Sequence, residues 1–323
     1  MQPSSILVII IALVLFLGAF ILIKTMLFTR KSSTAIIPFE YGIPRFKQDP
    51  QTLAEHLSSV IQIETISHED AKKDKKENLK KMQEQLASLY PLVHKNLTKE
   101  VVDGYSLIYT WKGSNPDLNP VVFMAHQDVV PADEHTLDQW TYPPFSGKIA
   151  DGFIWGRGTL DIKSQVIAIL ESVEALLAAK YKPERTVILT FSHNEEVLGT
   201  GAKAVVDHLK DQGIRVDAVI DEGGAIYDGI IPGIKGLSAS VGIAEKGYLS
   251  LKLTVKGTGG HSSTPPKETA IGILSKAIAR LERQKFPTDV RMVKPMFQGL
   301  ASAASPVMQM AFGNLWLFGG LVI

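Results

Sequence analysis

Three short apolar runs constrain this chain more than any other feature: residues 120–125 (PVVFMA), 186–191 (TVILTF) and 218–220 (AVI). None alternates, and each is too short for a helix that must bury itself, so each reads as a strand covered on both faces. Helical patterns lie between and after them. Val166, Ile167, Leu170, Val173, Leu176 and Leu177 recur at helical spacing over 164–179, and residues 202–209 repeat the pattern. Strands alternating with helices imply an α/β domain, a mostly parallel sheet with helices on both faces. Upstream, residues 53–61 and the Lys/Glu-rich stretch 71–89, with Leu79, Met82, Leu86 and Leu89 at helical intervals, predict amphipathic helices. Residues 106–111 predict a short strand, and Asp151-Gly152 turns a hairpin over 148–155. After Glu245 the pattern changes: residues 247–255 alternate like a half-exposed strand and 267–283 form an amphipathic helix, which suggests a smaller α+β unit.

The first segment differs from the rest. Residues 6–23 are an unbroken apolar run of roughly 27 Å at 1.5 Å per residue, enough to cross a bilayer core. A cleaved signal peptide is the rival reading, but nothing basic precedes Ile6 and residues 24–28 make a poor cleavage site. Lys24, Arg30 and Lys31 follow the run and lean the body toward the cytoplasmic side. The expected organisation is an anchor at 1–30, a Ser/Thr/Pro linker at 31–49, the main domain at 50–245 and the smaller domain at 246–323. There are no cysteines, so disulfides and thiolate metal sites are excluded, and a net charge of +1 gives no basis for nucleic-acid binding.

The three buried runs end alike. The first leads into His126-Gln127-Asp128, the second into His193-Asn194-Glu195-Glu196, and the third into Asp221-Glu222-Gly223-Gly224. Asp161 stands at the mouth of the long helix, after Gly156-Arg157-Gly158. Ligands collect beyond the carboxyl ends of strands in open α/β sheets. Carboxylates gathered there repel one another unless a cation neutralises them. Carboxylates mixed with one imidazole suit Zn2+, with Mn2+ or Co2+ as substitutes, and many carboxylates with few histidines suit two metals sharing a bridge. His126 and Asp128 lie two apart on an extended chain and point the same way, so Asp128 can accept the second ring N–H of His126. Glu195 and Glu196 point apart, so one can hold metal while the other faces a reacting water. His56, His68, His94, His135 and His208 read as surface residues, and His193 as close to the site without a role.

The segments MAHQDVVP (124–131), WTYPPFSGKIADGFIWGRGTLDIK (140–163), SHNEEVLGTGA (192–202), DEGG (221–224), AEKGYLSL (244–251) and GGHSSTPPKETAIG (259–272) resemble the di-zinc family of aminoacylases, deacetylases and carboxypeptidases. The PPFSG and HSS-x-PP segments resemble its carboxypeptidase S branch, which also holds the N-fatty-acyl-amino-acid synthase/hydrolases. The resemblance implies zinc-dependent hydrolysis of an amide bond in peptides or N-acyl amino acids, an inserted lid domain, a membrane-spanning start, and room for a homodimer. It implies that His126 and Asp221 bind one zinc, that Asp161 bridges, that Glu196 binds the second, that Glu195 is the general base, and that Asp128 orients His126. His261, in the inserted domain, would polarise the scissile carbonyl. The family also uses a second metal-binding histidine late in a longer chain, whereas the last histidine here is His261. The expectation is therefore an incomplete catalytic domain with impaired activity, or a non-catalytic membrane-anchored protein that keeps the fold as an interaction surface.

Overall fold

A computed structural model describes residues 3–31 and 48–322, apart from 231, 232, 235, 240, 246, 258, 288–290 and 292. The expected linker at 31–49 lies almost wholly outside the described residues. The chain divides into two compact units, Glu40–Glu222 and Met1–Phe39 with Gly223–Ile323. Residues 223–245, grouped with the main domain by sequence, cluster with the second of these.

The chain starts with α1 (Pro3–Arg30), an apolar helix whose segment Ser5–Arg30 is long and apolar enough to cross a membrane. The unit Glu40–Glu222 opens with α2 (Pro50–Ile61). Pro50 needs no amide partner at the first helical position, and the Asp49 carboxylate accepts the Thr52 N–H at 3.0 Å. Next come α3 (Lys76–Leu89), α4 (Pro91–Asn96), β1 (Thr98–Val102), β2 (Ser106–Trp111), β3 (Val121–His126), the hairpin β4 (Lys148–Ala150) and β5 (Phe153–Trp155), α5 (Lys163–Ala178), β6 (Val187–Ser192), α6 (Gly201–Asp211) and β7 (Ala218–Ile220).

Five strands form one sheet in the order β1-β2-β6-β3-β7. Strands β6, β3 and β7 are parallel, while β1 pairs β2 and β2 pairs β6 antiparallel, so the sheet is mixed rather than mostly parallel. Both faces are covered. Val166, Ile167 and Leu170 of α5 join Val60, Met82, Leu86, Tyr90 and Val93 over Leu107, Tyr109, Leu189 and Phe191. Val205 and Leu209 of α6 cover Ile108, Val122 and Ile188 on the other face. Fully burying one such aliphatic side chain contributes about 1.5–3 kcal/mol, so these two layers hold the sheet. Strand β7 departs from expectation. It lies at the sheet edge, with Val219 and Ile220 about half exposed (51% and 49%).

The other unit contains the hairpin β8 (Ile226–Asp228) with β9 (Leu237–Ala239), then α7 (Ala270–Arg283), α8 (Lys294–Leu300), α9 (Pro306–Gly313) and α10 (Leu315–Val322). Its core joins Phe28 of α1 to Ile234, Phe297, Ala301, Ala304 and Phe312, with the Phe297 and Phe312 rings stacked. The described residues of 247–255 form no strand and are mostly exposed, contrary to their alternation. A single alternating segment becomes a strand only when a neighbour pairs with it, and none of the described residues does so.

Candidate metal centre

Parallel β3, β6 and β7 deliver their carboxyl ends to one edge of the sheet, and β3 lies between the other two. His126 is the last residue of β3 and is 1% exposed. Glu195 and Glu196 begin a short 3-10 turn just after β6, and Asp221 and Glu222 follow β7. Asp161 sits in the turn that enters α5. Gly158 in that turn has φ +90°, and a Cβ there would lie 2.8 Å from Val129 Cγ1, so glycine is needed.

The side chains converge. His126 Nε2 is 3.1 Å from Asp161 Oδ1, 3.4 Å from Glu222 Oε2 and 3.8 Å from Glu195 Oε2. Donor atoms of His126, Asp161 and Glu196 lie within 4.8 Å of one another, as do those of His126, Glu195 and Glu222. These two sets share the imidazole and differ in their carboxylates. Glu222 Oε2 is buried yet makes no hydrogen bond. An orphaned carboxylate oxygen beside an imidazole and three further carboxylates is a donor set short of a cation, and oxygen and nitrogen donors suit a divalent ion.

Asp128 holds the arrangement from beneath. It is 1% exposed; its carboxylate accepts Ser67 Oγ–H at 2.6 Å, the Glu195 N–H at 3.1 Å and the Glu196 N–H at 3.2 Å. His126 Nδ1 faces the Asp128 backbone carbonyl at 2.9 Å and its carboxylate at 3.4 Å. One aspartate thus turns Nε2 toward the cluster and sets the backbone of both glutamates. Burial works to raise the Asp128 pKa, but the bonds from His126 and Ser67 outweigh it and hold the carboxyl below its ordinary value. Burial also disfavours the His126 imidazolium, yet Asp128 and Glu222 prevail and raise its pKa to about 10. Glu195 and Glu196 are both raised, first by burial. Glu222 is pushed up to about 7 by burial and by Asp161, Glu195 and Asp221, with His126 opposing.

Five expected residues, His126, Asp128, Asp161, Glu195 and Glu196, come together here. The sequence reading passed over Glu222 in favour of Asp221. Asp221 is exposed, and its Oδ1 accepts the Glu222 N–H at 2.9 Å. The available signal was a second carboxylate next to Asp221, as with Glu195 and Glu196, which are also neighbours after a strand and both have an oxygen near His126. His261 belongs to the other unit, in an exposed turn where Nδ1 accepts the Ser263 N–H at 3.2 Å. His193 is half-buried against Ser106 Oγ at 2.8 Å, and burial lowers its pKa. Of the histidines read as surface residues, only His135 is exposed. His56 pairs with Glu171, His68 with Asp74, His94 with Tyr109 and His208 with Glu100.

The family model of peptidase family M20/M25/M40 matches residues 122–314, which take in the residues of this edge. The chain belongs to that family. Among M20 relatives, it is 39% identical over 280 residues to the N-fatty-acyl-amino acid synthase/hydrolase PM20D1 of Homo sapiens, covering 85% of this chain and 55% of that protein. It is 36% identical over 282 residues to carboxypeptidase S of Saccharomyces cerevisiae, covering 82% of this chain and 48% of the relative. The chain therefore spans about half the length of the curated relatives it matches. Human carnosine dipeptidase 1 superimposes with a TM-score of 0.46 at 22% identity, over 55% of this chain and 39% of that one.

Proposed function

We propose that the chain carries the catalytic edge of a zinc-dependent hydrolase acting on an amide bond in peptides or N-acyl amino acids, tethered to a membrane by α1. The observation that carries this reading is the convergence of one imidazole and four carboxylates, one with a buried oxygen that makes no hydrogen bond among the described residues. His126, Asp161 and Glu196 are the proposed metal ligands. Resemblance puts a further ligand at Asp221, whereas proximity to His126 favours Glu222. Bound divalent cations would neutralise the carboxylates and bring the pKa of a water toward neutrality.

Glu195 is the proposed general base, for two reasons. Burial raises its pKa, and its backbone is fixed by Asp128. It would accept a proton from the attacking water and return it to the leaving amine nitrogen. Asp128 holds His126 in one orientation throughout. His261 is the proposed donor to the carbonyl oxygen as charge develops there. The names of the two relatives, an N-fatty-acyl-amino acid synthase/hydrolase and a carboxypeptidase, support amide substrates of this class. Lys24 and Arg30, toward the C-terminal end of α1, and Lys31 just after it support a cytoplasmic body. Glycosylation acceptors placed on either side of the helix would report that side, and modification of acceptors beyond Lys31 would reverse it.

The test is metal analysis of the purified chain together with Glu195→Gln. The variant should keep its bound zinc and lose at least about 100-fold in hydrolysis of an N-acyl amino acid, the range ascribed to general-base catalysis. A wild-type chain without stoichiometric divalent metal would reject the reading and favour the non-catalytic alternative.

A further inference from the structure

Lys163, the first residue of α5, is 0% exposed, although a lysine is among the residues least often buried. Its Nζ donates to the Val60 carbonyl at 2.9 Å and the Ile63 carbonyl at 2.6 Å, at the C-terminal end of α2. Its backbone N–H closes the preceding turn onto the Gly158 carbonyl at 2.9 Å. The side-chain stem lies under that turn, with Cδ 3.4 Å from where a Gly158 Cβ would stand. A neutral amine has two N–H donors and an ammonium three, so both carbonyl bonds survive in either protonation state.

Asp161, two residues earlier, is differently placed. Its side chain is 68% exposed, and among the described residues its carboxylate has one hydrogen-bond partner, His126 Nε2. No second donor holds it, so its place opposite His126 is inherited from its backbone. That backbone is pinned by buried Ile162 in the core and by Lys163. We propose that Lys163 is a positioning residue for Asp161: it ties the 158–163 turn to the end of α2 and so fixes where the Asp161 carboxylate stands. The consequence for metal affinity rests on the metal reading above, while the clamp itself does not.

Two measurements on the full chain in detergent separate these. Amide hydrogen exchange of residues 157–164 in metal-free protein tests the clamp. Lys163→Met should speed exchange there at least about tenfold. Tyr90→Phe, which removes the 3.0 Å bond from Tyr90 Oη to Glu171 elsewhere in the same unit, should leave that segment unchanged and serves as the control for general destabilisation. Lys163→Gln, which retains N–H donors, should fall between wild type and Lys163→Met, and it replaces Lys163→Met if that variant fails to fold. The second measurement is zinc affinity, by competition with a chromophoric chelator, in a double-mutant cycle with Asp161→Asn. Lys163→Met should weaken zinc binding about tenfold or more in the wild-type background, as outer partners of metal ligands do, and less than about threefold when Asp161 is already Asn. Unchanged exchange at 157–164, or equal losses of affinity in both backgrounds, overturns the proposal. Faster exchange in a chain that binds no zinc would uphold the clamp and reject the metal reading.

Discussion

Glu222→Gln should move metal-free stability and metal affinity in opposite directions. In the metal-free chain the Glu222 carboxyl is pushed up to about 7, because it is partly buried among other carboxylates. In the unfolded chain it ionises near 4.5. Between those values the folded state holds the extra proton, so stability falls as pH rises through that window, and the penalty is complete above about 7. With its side chain 31% exposed, solvent screening reduces the penalty to the order of 1–2 kcal/mol. Gln carries no charge, so at pH 8 the metal-free variant should melt roughly 2–8 °C above wild type, and the gain should vanish near pH 4. With zinc the order reverses. Losing a carboxylate ligand should weaken binding at least about 100-fold, or ~2.7 kcal/mol. Asp221→Asn should stay within about 0.5 kcal/mol in metal-free stability and about tenfold in zinc affinity, since Asp221 is exposed and, among the described residues, its carboxylate accepts only the Glu222 N–H. Thermal melts at pH 4 and 8 with a chelator present, alongside zinc competition titrations, read all of this. The assignment of Glu222 is refuted if Asp221→Asn loses zinc more severely, or if Glu222→Gln lowers the metal-free melting temperature at pH 8.

Two further outcomes follow from the same electrostatics. With the His126 pKa raised to about 10, the metal-free imidazole is protonated at pH 7.5, so zinc binding should expel about one proton and tighten with rising pH. Calorimetry in buffers of different ionisation enthalpy measures this, and zero proton release would contradict it. Asp128→Asn removes a buried charge that accepts from Ser67, Glu195 and Glu196, and should cost about 3–5 kcal/mol at pH 7. Because the folded Asp128 pKa lies below its unfolded value, that contribution is present above about pH 4 and lost as pH falls through the folded value, so wild type and variant should converge in acid. A constant gap between their acid melts would rule this out.

The candidate metal centre was legible because its signals are local. A run of apolar residues that breaks into His126 or Glu195 marks both a strand and what stands at its end, and three parallel strands then bring those ends together. The sheet's mixed character was less legible. Residues 106–111 show a strand but not its direction, which is set by pairing with β6 far along the chain. The strand expected at 247–255 failed for a related reason: alternation reports that a segment could lie on a sheet, not that a partner is there to receive it. The surface histidines were misjudged because polar neighbours in sequence say nothing about a partner such as Glu171, which reaches His56 from a distant helix.

Asp221 and Glu222 show where such reading meets its limit. Both follow β7, both are acidic, and which of them turns toward His126 depends on the exit angle of a three-residue edge strand. After β6, Asp128 accepts the N–H groups of both Glu195 and Glu196, and each glutamate has an oxygen near His126. After β7 the matching interaction is a bond from the Glu222 N–H to the Asp221 carboxylate itself. That bond turns the first carboxylate back on its own chain and leaves the second to point inward, 3.4 Å from His126 Nε2, with an oxygen that accepts no hydrogen bond among the described residues. Proximity to His126, and an oxygen that accepts no hydrogen bond, therefore favour Glu222 as the proposed ligand over Asp221, whose carboxylate faces its own chain.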